Sequence, residues 1–136
     1  MKFWAVGYLA AGIVMLVVDA IWLTVMGKAL YRPILGDILL DQFRLGPAAV
    51  FYFMYVLAIV VFAIAPAATT GKWTTALIYG AFLGLVCYGT YDLTNHATLK
   101  AWTTTLTVID MAWGAAVTAL SATVGFIVAR AVAGNP

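Results

Sequence analysis

The stretch from Leu45 to Gly71 contains no charged side chain, and this feature most limits what the chain can fold into. A run of about 20 mainly apolar residues can cross a bilayer, because only a helix satisfies its backbone polar groups there. Across the chain, 65% of the 136 residues are hydrophobic and only 9% are charged, too few to cover a soluble domain. A net charge of +2 without a basic block excludes a nucleic-acid binder, and the single cysteine, Cys87, excludes a disulfide scaffold. We therefore expect an integral membrane protein.

Four segments have the length and composition of a spanning helix. We predict the spans at residues 3–26, 47–65, 74–96 and 104–129. The first follows Lys2 as a signal peptide would, but it is too long and lacks a clear cleavage pattern, so we expect it to be retained. Short links that pair a lysine, Lys72 or Lys100, with tryptophan follow the second and third spans. The expected fold is all-α, with residues 1–136 forming a single transmembrane domain, an antiparallel four-helix bundle.

The longer link between the first two spans is predicted to contain a short amphipathic helix over residues 33–44. Pro33 suits the first turn of a helix. Beyond it, apolar and charged side chains fall on opposite sides at helical spacing, which is typical of a helix lying in the membrane interface. The apolar side has Ile34, Leu35, Ile38, Leu39 and Phe43, and the charged side has Asp37, Asp41 and Arg44. An ordinary capped loop remains the alternative for this segment.

All five acidic residues are aspartates, and three of them, Asp19, Asp92 and Asp110, lie inside predicted spans. Asp19 precedes Lys28 by nine residues, while Asp92 precedes Lys100 by eight and Asp110 follows it by ten. Each aspartate therefore lies on the order of 12 to 15 Å from a lysine at the same membrane edge. Ionisable groups at this depth should face the bundle interior or a water-filled cavity. Three neighbouring carboxylates cannot all stay ionised there, so we expect the cluster to hold a shared proton or to bind a cation.

Helical spacing groups further side chains with these aspartates. Trp22 shares a stripe with Asp19 on the first helix, and Trp113 shares one with Asp110 on the fourth. The third helix places two tyrosines, an asparagine and the only histidine around its aspartate. The candidate ligand-binding residues are Asp19, Trp22, Tyr88, Tyr91, Asp92, Asn95, His96, Asp110 and Trp113.

Plainer roles are open for each of these residues. An aspartate in a membrane helix can serve packing alone by bonding to a neighbouring Thr, Asn or Tyr, and tryptophan stripes are usually bundle contacts. A lone histidine such as His96 is more often an interfacial helix-end residue than a ligand, so we predict no metal site. The sequence has no serine nucleophile motif, phosphate loop or dinucleotide fingerprint, and it names no cofactor.

Several segments of the sequence resemble those of a known family. They are Asp19-Ala-Ile-Trp22, Tyr31-Arg32 with Leu35-Gly36, Tyr88-Gly-Thr-Tyr-Asp-Leu-Thr-Asn95, and Asp110-Met-Ala-Trp-Gly114. On these motifs the chain resembles, over essentially its whole length, the bacterial inner-membrane family catalogued as domain of unknown function 2177. The resemblance implies a small multi-pass protein of the bacterial inner (plasma) membrane, and it brings no activity, substrate or catalytic residue.

The leading hypothesis is a binding or transport protein whose aspartate-lined pocket holds a cation, a proton or a small protonatable molecule. Tryptophan faces beside such a site could hold an organic cation or a lipid headgroup. Because four helices are few for a carrier, we expect a homodimer, with Gly80 and Gly84 as a candidate contact.

Two other function classes remain open. One is a membrane-embedded enzyme that modifies a lipid or isoprenoid by acid/base chemistry, with His96 or Tyr91 as the partner of an aspartate. The other is a structural membrane subunit. The residues alone do not decide whether the protein is an enzyme.

Overall fold

A computed structural model describes residues 1–136 and contains four long apolar helices and no strand. We number the helices α1 to α4, with α1 at Lys2–Met26, α2 at Leu45–Thr70, α3 at Trp73–Thr98 and α4 at Thr104–Ala133. Each is long and apolar enough to cross a membrane. The prediction of an all-α membrane protein with four spanning helices is confirmed, and each predicted span lies within one of these helices.

The chain remains helical beyond the end of α1 at Met26. Its backbone continues through a π-helical turn at Gly27–Tyr31, an α-helical turn at Arg32–Leu35 and a 3-10 turn at Gly36–Ile38. We call residues 27–38 the α1 extension. Two of its residues, Leu30 and Leu35, are buried in a small cluster with Trp102 and Leu106 at the start of α4. The extension therefore lies over the end of the bundle at which α3 is joined to α4.

A separate interfacial helix over residues 33–44 is not confirmed. The first part of that segment belongs to the α1 extension, and Leu39 is already extended, with φ −85° and ψ 141°. Regular helix does not resume until Leu45. The physical reason is that part of the apolar side has a partner within the fold, because Leu35 is buried against Trp102, with Ile34 and Leu39 packed beside it. Helical spacing alone cannot distinguish such a partner from the membrane interface.

One widened turn interrupts α2 at Val60–Ile64, and Pro66 lies two residues after it. Proline has no N–H to donate to the carbonyl one turn earlier, so helices commonly widen or bend at this position. The helix ends at Gly71, whose positive φ of 69° is a left-handed conformation that favours glycine. Arg130 of α4 donates from Nη1 to the Gly71 carbonyl at 2.6 Å, which ties this turn to the end of α4.

The closest helix contact in the bundle joins α3 to α4. A Cβ atom added to Gly84 would lie 2.1 Å from the carbonyl oxygen of Gly114, and one added to Gly80 would lie 2.9 Å from the Thr118 carbonyl oxygen. Small residues at this spacing allow two backbones to touch. The expectation that Gly80 and Gly84 form a homodimer contact is therefore corrected, because both are buried against α4 of the same chain.

The core lies between α1, α2 and α4. Its largest buried members include Phe3 and Met15 of α1, Tyr55, Ile59 and Ile64 of α2, and Val117 and Phe126 of α4. The outer surface is also apolar, with side chains such as Ile13 of α1 and Phe53 of α2 more than half exposed. An apolar exterior of this kind suits helices surrounded by lipid.

Candidate functional site

Hydrogen bonds of Asp19 connect three helices. Its side chain projects from α1 and is only 7% exposed. Oδ1 accepts a hydrogen bond of 3.0 Å from the indole Nε1 of Trp113 on α4, and Oδ2 accepts one from the hydroxyl of Tyr52 on α2. Both carboxylate oxygens therefore have a donor. Because the donors come from different helices, they fix the direction in which the carboxylate points.

Asp110 is held in a similar way by the α1 extension. Its Oδ1 accepts a hydrogen bond from the hydroxyl of Tyr31. The same hydroxyl oxygen accepts a hydrogen bond of 3.0 Å from Nε1 of Trp22 on α1. Tyr31 is thus both a donor and an acceptor, and it connects α1 to α4 through the extension.

The two tryptophans join these groups into one network. The rings of Trp22 and Trp113 are stacked, with centroids 4.2 Å apart and planes 4° from parallel. One indole donates to Asp19, and the other donates to the tyrosine that donates to Asp110. Asp19 of α1 and Asp110 of α4 are thus linked through the stacked tryptophans and Tyr31.

Asp92 differs from the other two intramembrane aspartates. It is fully buried on α3, with no exposed surface, and its carboxyl group faces that of Asp110. Neither of its oxygens forms a hydrogen bond of normal distance and angle. Buried polar groups nearly always have a partner, so a carboxyl group without one calls for a specific explanation. Asp92 is the most completely buried of the three aspartates.

A cavity of about 400 Å³ opens beside the aromatic pair, between α1 with its extension, α2, α3 and α4. Six of the nine predicted binding residues line it: Asp19, Trp22, Tyr88, Tyr91, Asp110 and Trp113. Most of its wall is hydrophobic, supplied in part by the extension and the loop that follows it. These apolar lining residues include Leu23, Leu35, Leu39, Leu40, Phe43 and Phe51.

The other three predicted residues do not line this cavity. Asp92 is fully buried and has no surface on the cavity. Asn95 is half-buried in the last turns of α3, and the exposed His96 has its Nε2 3.4 Å from the hydroxyl of Thr104. The structure therefore separates the end of α3 from the cavity that the rest of the predicted set surrounds.

Three polar residues at the site were not among the predicted ones. Tyr52 lies in a span without charged residues, where a phenol needs a hydrogen-bond partner, so its presence was a usable signal. Tyr31 and Arg32 were noted in the sequence only as part of the family resemblance. Nothing in their spacing indicated that the link between the first two spans folds back over the bundle. Arg32 is the only basic residue that lines the cavity.

The donor set does not suit a metal ion. No group of three or more His, Cys, Asp and Glu side chains is placed to hold one. The aspartates that line the cavity already accept hydrogen bonds from tyrosine and tryptophan. The site therefore consists of two oriented carboxyl groups, those of Asp19 and Asp110, in the wall of a mainly apolar and aromatic cavity.

Comparison with protein families agrees with this architecture. The model of a family described as a predicted membrane protein, DUF2177, matches residues 4–127. The chain belongs to this family. The matched range covers α1, its extension, α2, α3 and most of α4, so it includes every residue of the site described above. No curated protein and no solved structure shows significant similarity to the chain.

Proposed function

We propose that this DUF2177 protein binds a small protonatable organic molecule in the cavity, with Asp19 and Asp110 as the counter-charge for its ammonium group. The observation that carries the proposal is that both carboxyl groups are held at one apolar cavity by donors from other helices. Ionisable groups inside a membrane are costly to keep and are usually functional. A positive group in the cavity would offset that cost.

The lining favours an organic cation over a bare metal ion. A hard cation such as Ca²⁺ is held by six to eight oxygen ligands, as a general rule. Here hydrophobic side chains form most of the wall, and carboxylate oxygens come from only two lining residues, Asp19 and Asp110. Small-molecule pockets typically combine an apolar wall with a few placed polar groups and have volumes of about 300–1,000 Å³. A cavity of about 400 Å³ falls within this range.

The proposal is tested by calorimetric titration of the purified protein in maltoside micelles with phenethylamine. Phenethyl alcohol, which has the same skeleton without the positive charge, is the control ligand. We expect the amine to bind and the alcohol to bind at least about tenfold more weakly. Asp19→Asn and Asp110→Asn should weaken amine binding, while Asp37→Asn, which changes an exposed aspartate outside the cavity, should not. Equal binding of amine and alcohol would contradict the proposal.

Transport is a separate part of the same proposal. A carrier must expose the site alternately to the two sides, and a four-helix unit gains the necessary surface most simply as a homodimer. Because Gly80 and Gly84 are covered by α4, such a dimer must use another face. Amine flux into liposomes and crosslinking of the protein in membranes test these two parts. Fractionation of a bacterial host tests the proposed location in the inner membrane, which rests on the family resemblance.

The enzyme hypothesis receives less support from the geometry. An acid and a base must both reach one substrate. His96 does not line the cavity, and the hydroxyls of Tyr31 and Tyr52 are engaged with carboxyl groups. Tyr91 remains as a lining residue that could act with Asp110. A structural subunit would need no cavity of this kind, so amine binding also distinguishes that alternative.

A further inference from the structure

The cavity carries charges of both signs. Asp19 and Asp110 line it together with the exposed Arg32 of the α1 extension. The hydrogen-bond partners of the two aspartates are tyrosines and a tryptophan rather than Arg32. The guanidinium is therefore not used as their counter-ion. A ligand with only a positive charge would leave the guanidinium of Arg32 unpaired, whereas a ligand with a positive and a negative group could pair with the aspartates and with the arginine.

The apolar wall continues out of the cavity along the loop after the α1 extension. Leu39, Leu40 and Phe43 line the cavity, and the last two are 49% and 71% exposed. Leu40 and Phe43 thus give the cavity that Arg32 lines a partly exposed hydrophobic margin. A space of about 400 Å³ can take a headgroup, while acyl chains would remain against this margin.

The aromatic side chains bear on which kind of positive group the ligand carries. Methylated ammonium groups are typically held on the open faces of aromatic rings. Trp22 and Trp113 stack on each other at 4.2 Å, so each covers one face of the other. The carboxyl oxygens of Asp19 and Asp110 accept N–H bonds, and they therefore favour an ammonium group that has N–H donors. A primary ammonium has three N–H donors, and a trimethylammonium has none.

We propose that the cavity binds the phosphoethanolamine headgroup of a membrane phospholipid. The ammonium lies at Asp19 and Asp110, the phosphate lies at Arg32, and the acyl chains lie against Leu40 and Phe43. Arginine suits the phosphate because its planar guanidinium pairs with two oxygens at once. This inference rests on the proposed function and adds the identity of the ligand class.

The test is native mass spectrometry of the delipidated protein with an equimolar mixture of three phospholipids of identical acyl chains. The headgroups are phosphoethanolamine, phosphocholine and phosphoglycerol. We expect the ethanolamine lipid to be retained about tenfold more than either of the others. Arg32→Gln should remove this preference, and Arg44→Gln, an exposed arginine that does not line the cavity, should keep it. Thermal denaturation establishes that both variants are folded.

The outcomes separate the two proposals. Equal retention of the three lipids, or a preference that survives Arg32→Gln, overturns the headgroup assignment. If phenethylamine still binds in that case, the proposed function stands without the headgroup assignment. If phenethylamine does not bind either, both proposals are wrong. Competition by soluble phosphoethanolamine distinguishes the source of the headgroup. If the soluble compound binds as tightly as the lipid, the acyl chains play no part and the assignment to a membrane lipid is wrong.

Discussion

The indole of Trp113 donates a hydrogen bond to Asp19 while its ring stacks on that of Trp22. One side chain of α4 is thereby attached to α1 twice, once through a polar contact and once through an aromatic one. Phenylalanine at position 113 has no N–H and a smaller ring, so it removes the polar contact and leaves part of the aromatic one.

We expect Trp113→Phe to lower the free energy of unfolding by about 1–3 kcal/mol, since it leaves one oxygen of a buried carboxyl group without its donor. The measurement is denaturation by dodecyl sulfate in mixed micelles. Trp73→Phe is the control, because Trp73 is exposed at the start of α3. Equal stability of the two variants would show that the indole N–H contributes nothing.

Gly84→Ala should prevent the close approach of α3 and α4. The added methyl group would lie 2.1 Å from the carbonyl oxygen of Gly114, which is backbone and cannot move aside. We expect a loss of at least about 3 kcal/mol of stability, or failure to accumulate in the membrane. Gly12→Ala is the matched control within a membrane helix, because its methyl group would meet only Val56 side-chain atoms at 3.6 Å or more. Normal stability of Gly84→Ala would contradict the packing of these two helices.

Replacing Asp92 and Asp19 by asparagine should affect the stability of the protein differently. Asp92 has no hydrogen-bond partner, so Asp92→Asn removes an ionisable group without breaking a bond, and stability should be unchanged or higher. Asp19→Asn places an amide N–H₂ against one of two donors and should lower stability by about 1–2 kcal/mol. Thermal unfolding of both proteins in the same detergent is the measurement. A large loss of stability in Asp92→Asn would contradict the absence of a hydrogen-bond partner for the Asp92 carboxyl group.

Tyr55 and Thr118 join α2 to α4 by a buried hydrogen bond of 2.7 Å between their hydroxyl groups. A double-mutant cycle with Tyr55→Phe and Thr118→Val isolates this pair, because both substitutions remove only the hydroxyl chemistry. We expect a coupling of about 0.5–1.5 kcal/mol in the free energy of unfolding. Additive effects of the two substitutions would mean that this hydroxyl pair contributes nothing to the attachment of α2 to α4.

The sequence was sufficient for the spanning helices because their boundaries depend on hydrophobicity and length. It also grouped Asp19 and Asp110 with Trp22 and Trp113, since helical spacing puts each pair on one face. It could not give the hydrogen bonds of Tyr31 and Tyr52, because those depend on how the helices are placed relative to one another.

One sequence-based expectation is wrong and another is not confirmed, for a related reason. The apolar side of residues 33–44 and the small faces of Gly80 and Gly84 both indicate that something packs there. A local pattern does not say whether the partner is lipid, a second copy or another part of the same chain. In both cases the partner is α4 or the residues immediately before it, with Trp102 covering Leu35 and Gly114 covering Gly84.

The bond between Asp19 and Trp113 also bears on how the protein is made. The ribosome produces the two residues 94 positions apart, and the donor on Tyr52 comes 33 positions after the aspartate. During that interval the first helix must enter the bilayer with an acid that has no permanent partner. Its release from the insertion machinery is therefore expected to wait for the last helix, so truncation before Trp113 should leave the nascent protein exposed to quality-control proteases.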